Sequence, residues 1–287
     1  MKLTVMYRGP LSSCNYACGY CPFSKRQESP EQRRRDQLAL RRFMAWISRQ
    51  TDIQWQVLFT PWGEALTRRW YRQAIVELSH LPHVEQVAVQ TNLSCRLDWL
   101  RECRASRVAL WGAYHPTECR VSAFVRKVVT AVETGALVTA GAVGIPEHRP
   151  AIERLHAQLP SQVKRWINAQ QPRPRPYSHE ELAFFRAIDP QFDLTLHRQA
   201  SLGRFCLAGE TVFTVDGAGE MRRCHFVSEV IGNIASDSWR SVLQPRPCPR
   251  RSCHCYLGLA QLLGQASDAS GNRFPFQRLV PASPPSR

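Results

Sequence analysis

The sequence predicts an α/β protein, a parallel sheet wound with helices, followed by a small cysteine-rich segment. Three observations carry this. Apolar runs of strand length alternate with helical apolar periods through the first two-thirds of the chain. The connections between them are short, as in consecutive strand–helix units. From Leu202 onward the character changes to cysteines, glycines and short strand-like runs.

In order, Leu3–Tyr7 reads as a short first strand. After a cysteine loop, Leu40, Phe43, Met44 and Ile47 fall at i, i+3, i+4, i+7, the spacing of one helix face. Gln54–Phe59 is the second strand, and Tyr71, Ala74, Ile75 and Leu78 mark the second helix. Val84–Thr91 is a strand, Leu97–Arg104 a short helix, and Val108–Tyr114 a strand. Val121, Phe124, Val125, Val128 and Val132 mark a helix that stops at Gly135. Leu137–Val143 is a strand, Ala151–Leu159 a helix and Val163–Ile167 a sixth strand. Six units are too few for a closed eight-unit barrel. The pattern alone does not separate a partial barrel from a doubly wound sheet, but in both, ligands bind at the carboxyl ends of the strands.

This core is assigned to residues 1–170. Residues 171–201 form a proline-rich connector and a helix over Ser178–Asp189, with Ser178 as cap and Glu181 at the capping-box spacing. Residues 202–264 form a second, smaller domain. There, Thr211–Val215 and Glu220–Arg223, joined by Asp216-Gly217-Ala218-Gly219, read as a β-hairpin, with a helix near Trp239–Leu243 further on. Residues 265–287, rich in Ser, Pro, Gly and Ala, are expected to be disordered.

With 287 residues, 44% of them hydrophobic, the chain can bury a large core. No apolar run approaches the roughly 20 residues of a membrane span, and the start reads as a strand rather than a targeting peptide. The expected location is the cytoplasm, where thiols stay reduced. The net charge of +15 suits an anionic partner or an acidic substrate. No basic run is interleaved with stacking aromatics, so nucleic acid is the less favoured partner.

The chemistry is concentrated in Cys14-x3-Cys18-x2-Cys21, just past the first strand. Three thiolates this close form a sulfur cup. A four-iron cluster takes four thiolates, so three leave one iron open, and an open metal position is where chemistry occurs. Structural zinc uses cysteine pairs, which a triplet fits poorly. A disulfide framework is at odds with a long chain of eleven cysteines, an odd number, lacking a secretory signal.

The triplet, with aromatic Tyr20 just before the third cysteine, resembles the signature of the radical S-adenosylmethionine (radical SAM) superfamily. That resemblance implies a partial (β/α)6 TIM-like barrel and a [4Fe-4S] cluster on Cys14, Cys18 and Cys21. It implies SAM on the open iron, cleaved reductively to methionine and a 5′-deoxyadenosyl radical. It places Tyr20 beside adenine. Phe59-Thr60-Pro61-Trp62-Gly63-Glu64-Ala65 resembles a degenerate Gly-Gly-Glu-Pro motif, implying that Gly63 and Glu64 hold the methionine ammonium. Gln90-Thr91-Asn92-Leu93 resembles the family's Thr-Asn-Gly turn, where Asn92 serves either SAM or a left-handed turn. His115 ends the fourth strand at the same mouth and suits SAM, substrate or proton transfer. Val143–Glu147 matches only the Gly-x-x-Glu tail of an adenine-side motif, which a plain turn also explains.

The second signal is Cys206-x12-Gly219-x4-Cys224, whose hairpin brings its flanking cysteines together, followed by Cys248-x4-Cys253-x-Cys255. It resembles the SPASM or twitch auxiliary-cluster region and implies one auxiliary [4Fe-4S] cluster on four of these five cysteines. Which one is spare is open, and a zinc ribbon is the competing use. Cys95, Cys103 and Cys119 lack ligand spacing and are expected to pack as small apolar residues. The implied activity is oxidation or crosslinking of a substrate, a peptide or protein being favoured, with flavodoxin or ferredoxin as electron donor. The alternatives are radical modification of a small molecule or RNA, and, in another class, a non-catalytic zinc-containing nucleic-acid-binding protein.

Overall fold

A computed structural model describes residues 1–23, 27–253, 255–259 and 261. The tail expected to be disordered, 265–287, lies outside the described residues. Six parallel strands, β1 (Lys2–Arg8), β2 (Gln54–Phe59), β3 (Val84–Thr91), β4 (Val108–Tyr114), β5 (Leu137–Gly144) and β6 (Lys164–Ala169), lie side by side in chain order. A doubly wound sheet reverses its strand order at a switch point. This sheet has no such reversal from β1 to β6, which is the order of a barrel wall.

The strands are buried along almost their whole length, as expected of a parallel sheet covered on both faces. Side chains alternate between the faces. Val5, Tyr7, Val57, Phe59, Val87 and Val89 pack with the helices. Met6, Leu58, Ala88, Ala109, Trp111 and Trp166 form a separate cluster on the other face.

The helices follow from local chemistry. Helix α1 (Pro30–Arg49) starts with a Ser29/Gln32 capping box and proline at its first position, and it buries the expected Leu40, Phe43, Met44 and Ile47. Helices α2 (Arg69–His80) and α3 (Val121–Glu133) follow β2 and β4. After α3, Gly135 at φ +87° supplies the left-handed residue that ends it. Helix α4 (Arg149–Gln158) begins two residues before the expected start because Pro150 sits in its first turn. Helix α5 (His179–Ile188) has the expected Ser178/Glu181 capping box, and α6 (Phe192–Leu196) follows it.

Two expected helices differ. The segment around Leu97–Arg104 forms only 3-10 turns over Asp98–Glu102 and Ala105–Arg107. Trp239–Leu243 is a run of turns, with Trp239, Ser241 and Leu243 N–H groups bonding back three residues. In both, anchoring by buried Trp99 or Trp239 decides the path of a segment too short to propagate an α-helix.

The C-terminal segment is joined to the sheet. Strands β7 (Gln199–Ala200) and β8 (Phe205–Cys206) precede the hairpin of β9 (Val212–Asp216) and β10 (Glu220–Arg222). The hairpin forms as expected, but β9 pairs in parallel with β1, Thr4 opposite Val212 through Arg8 opposite Asp216. Strand β11 (Gly232–Asn233) continues the same sheet. Two short antiparallel pairs bring the cysteine-bearing ends back: β12 (Arg246–Pro247) on β8, and β13 (Ser252–Cys253) on β7. Tyr256 and Leu257 of α7 (Tyr256–Leu259) then pack on the face opposite the helices, Tyr256 lying 5.9 Å from Trp111.

Trp239, 4% exposed, meets Trp46 edge-on at 4.9 Å and packs tilted against Trp55 at 6.0 Å. A Trp239→Ala variant is expected to destabilise the protein by about 3–5 kcal/mol. Chemical denaturation should lower one shared transition. Two transitions, of which one shifts, would mean that the segment folds independently. Among the described residues, no helix is long and apolar enough to cross a membrane.

Candidate active site

Loops leaving the carboxyl ends of β2 to β5 converge on the cysteine loop that follows β1, those after β2, β3 and β4 through polar contacts and that after β5 through the ring of His148. The approach to Cys14 is held by two buried acids. Asp36, fully buried on α1, accepts from the Leu11 N–H (3.1 Å), the Tyr71 hydroxyl (3.1 Å) and the Trp70 indole (2.6 Å). Burial pushes its carboxyl up to about 6. Glu28 accepts from the backbone N–H groups of Ser12 and Ser13 and from the Ser13 hydroxyl, and pairs with Arg68 at 3.1 Å. Arg68 also donates to the Ser13 hydroxyl. Neither acid was singled out from the sequence. The readable signal was a carboxylate beside the α1 cap and another on its apolar face.

Gly63 lies against the same loop. A Cβ there would stand 1.8 Å from the Ser13 carbonyl oxygen, while the next residue's N–H, that of Glu64, donates to that oxygen at 3.0 Å. Glycine at position 63 therefore has a steric reason, the close approach of two backbones.

Glu64 is 4% exposed, and its carboxylate accepts from the Leu66 N–H (3.0 Å), the Thr91 hydroxyl (2.8 Å) and the Asn92 N–H (2.6 Å). Burial raises its pKa against these three donors. It ties the end of β2 to the end of β3. A carboxylate has about four acceptor positions, so one remains for a cationic donor.

Asn92 is buried, and its amide donates to the Asn15 side chain at 3.1 Å and lies 3.9 Å from the Cys14 sulfur. The left-handed residue of this turn is Leu93, at φ +55°, not Asn92. The turn thus carries roughly 1–3 kcal/mol of backbone strain, held by a Leu93 side chain that is 1% exposed.

Tyr20, Cys18 and His115 form one contact group. His115 Nδ1 is 2.9 Å from the Tyr20 hydroxyl and 3.2 Å from the Cys18 sulfur. The Tyr20 and His115 rings stack at 6.0 Å with 14° between planes, and His148, also not singled out from the sequence, meets the Tyr20 ring edge-on at 5.5 Å. Burial lowers His115 to about 4, so its imidazole is neutral at pH 7.

None of the eleven cysteines is in a disulfide. Among the described residues, no group of three or more His, Cys, Asp or Glu side chains surrounds a single metal-ion position. The cysteine loop nonetheless has the chemistry of a cluster's donor set. Burial pushes Cys18 up to about 11, and the charges of Glu118, Cys21 and Cys14 add to it. Burial also raises Cys14, with Glu64 and Cys21 contributing. Thiols that oppose one another's ionisation need a shared cation to become thiolates together, which a multi-iron cluster provides.

The C-terminal cysteines form a second such neighbourhood. Cys206, Cys224 and Cys253 pack around Leu259. Burial raises Cys224, which Cys206 and Cys248 push further, and pushes Cys253 up to about 12 with Cys255, Cys224 and Cys248 adding. Buried Arg223 donates to the Cys206 sulfur at 3.2 Å and to the carbonyls of Arg246 and Pro247. Cys255, which acts on Cys253, also packs against the Met6–Trp111 cluster and lies in the field of Arg8. Arg8 bonds through Nε to the Thr60 carbonyl at 2.7 Å and stacks on Trp62. Cys95, Cys103 and Cys119 are partly buried at the edge of the main core, as expected.

No family model and no curated protein matches this chain. Solved structures share its fold at low identity. The structure of anSMEcpe with bound AdoMet matches with a TM-score of 0.57 and 12% identity, over 84% of this chain and 80% of that one. Streptococcus suis SuiB bound to S-adenosylmethionine matches with a TM-score of 0.50 and 13% identity, over 83% of this chain. The match spans 65% of the SuiB chain. SuiB bound to its precursor peptide SuiA matches with a TM-score of 0.53 at 12% identity.

Proposed function

We propose that the chain is a radical SAM enzyme that acts on a peptide or protein, with SAM and a [4Fe-4S] cluster at Cys14, Cys18 and Cys21. The observation that carries this is the convergence of the three cysteines, Tyr20, Glu64, Asn92 and His115 at the carboxyl ends of the strands. Structures sharing the fold hold S-adenosylmethionine. When bound, the cluster supplies the electron that cleaves SAM. The protein's residues do the rest. The remaining acceptor position of Glu64 suits the methionine ammonium, through a charge-assisted bond. The Tyr20 ring, set between His115 and His148, offers a face for adenine. Tyr20 and His115, packed on Cys18, exclude water from that side of the site.

A peptide or protein is the favoured substrate because two structures of this fold are bound to peptides, anSMEcpe to Kp18Cys and SuiB to SuiA. We assign the auxiliary [4Fe-4S] cluster to four of Cys206, Cys224, Cys248, Cys253 and Cys255, whose sulfurs lie in one another's field.

Anaerobically purified protein should contain about eight irons per chain and form 5′-deoxyadenosine from SAM with dithionite. Cys224→Ala should lower iron to about four while SAM cleavage persists. Iron unchanged in that variant would remove the auxiliary cluster. Zinc in place of iron, with SAM left intact, would overturn the whole reading.

A further inference from the structure

Cleavage of SAM needs an electron from outside the chain, and one surface beside the cysteine loop has the charge to receive its carrier. A groove of about 370 Å³ lies where α1 and α2 begin, lined by Arg33, Arg34, Arg68, Arg69 and Trp70. Helix stability does not explain these arginines. A helix N-terminus carries about half a positive charge and is stabilised by acids, not cations. Yet α2 opens on Arg69 with no acid in its first turn, and α1 follows its single first-turn acid, Glu31, with Arg33, Arg34 and Arg35.

Internal pairing does not explain them either. Among the described residues, the ion pair made by the groove's arginines is that of Arg68 with Glu28, and Arg33, Arg34 and Arg69 make none. Those three are exposed. Asp36 shares α1 but is turned inward onto Leu11, Trp70 and Tyr71. Two helix N-termini and three unpaired guanidinium groups therefore add their potentials at one surface. That surface abuts the cysteine loop, because Arg68 lines the groove and donates to Ser13, the residue before Cys14.

We propose that this groove docks an acidic electron-carrier protein, a flavin or iron–sulfur carrier whose surface carboxylates pair with Arg33, Arg34 and Arg69. This rests on the radical SAM reading above. In the step served, one electron leaves the carrier and enters the site held by Cys14, Cys18 and Cys21. The carrier is oxidised by one electron and that site reduced by one, with no bond made or broken.

The test uses a flavodoxin as the carrier and the triple variant Arg33→Glu, Arg34→Glu, Arg69→Glu. Acids near helix N-termini favour folding, and the triple glutamine variant serves as a milder second form. Calorimetric titration should show flavodoxin affinity lowered about tenfold or more by charge reversal, and the parent's affinity should fall as salt rises. Flavodoxin-driven 5′-deoxyadenosine formation should fall in step, while the dithionite-driven rate stays at the parent's value. Equal flavodoxin affinity in parent and variants overturns the docking surface. So does retention of an RNA oligomer that charge reversal abolishes while flavodoxin binding is unchanged. If the parent cleaves no SAM with dithionite, the enzymatic reading fails, whereas the titration still reports on docking.

Discussion

Replacing any one of Cys14, Cys18 or Cys21 by alanine is expected to reduce 5′-deoxyadenosine formation to the background of protein-free controls. The same variants should lose about four irons per chain and keep those assigned to the C-terminal cysteines. The size of the effect follows from the donor set: three sulfurs leave no surplus ligand, and two of them are already held in place, Cys18 beside His115 and Cys14 beside Asn92. Serine would not substitute, since a hydroxyl is a far poorer ligand for iron–sulfur clusters than a thiolate. A variant that retains full SAM cleavage would remove its cysteine from the site. Retained fold, checked by the far-ultraviolet spectrum, separates loss of the site from loss of the protein.

A second large effect is expected from one methyl group at Gly63. The Cβ of Gly63→Ala would lie 1.8 Å from the Ser13 oxygen and 2.5 Å from the Ser13 carbonyl carbon. Both atoms are backbone, so no side chain can swing aside. The loop carrying Ser13 must move, and with it Cys14. We expect a loss of about 1–3 kcal/mol in stability, the usual cost of forced overpacking, together with poor iron retention and little SAM cleavage. Gly19→Ala is the matched control. It lies inside the cysteine triplet, has no positive φ, and has nothing within 4 Å of the added Cβ. It should retain iron and activity. Equal behaviour of the two variants would show that the contact between Gly63 and Ser13 does not position the loop.

This pair of glycines shows where sequence reading stops. Gly63 and Gly19 both stand in recognisable motifs, but only Gly63 was given a role by its motif. The meeting of the β1 and β2 loops adds the steric reason, since a Cβ at Gly63 would strike the Ser13 backbone and one at Gly19 would meet nothing. Glu64 is a similar case. Its place after the second strand was legible, but its bonds to Thr91 and Asn92 were not, because they arise where neighbouring parallel strands end. Glu28, Asp36, Arg68 and His148 left no motif. Each is a common residue type, made specific only by what it reaches.

The sequence by itself determined the order of the six parallel strands and of helices α1 to α5, the capping of α5, the hairpin at Asp216–Gly219, and the two groups of cysteines, because these depend on short-range periodicity, turn chemistry and spacing. The tertiary structure alone decided three things. The strand order became sequential rather than reversed, since that depends on which edges pair and on no local pattern. The C-terminal hairpin became part of the main sheet, since the free edge of β1 supplied hydrogen-bond partners to β9 that a separate small domain would have had to find within itself. And the cysteine-bearing ends came back to one another, since β12 pairs with β8 and β13 with β7, contacts that no local pattern encodes.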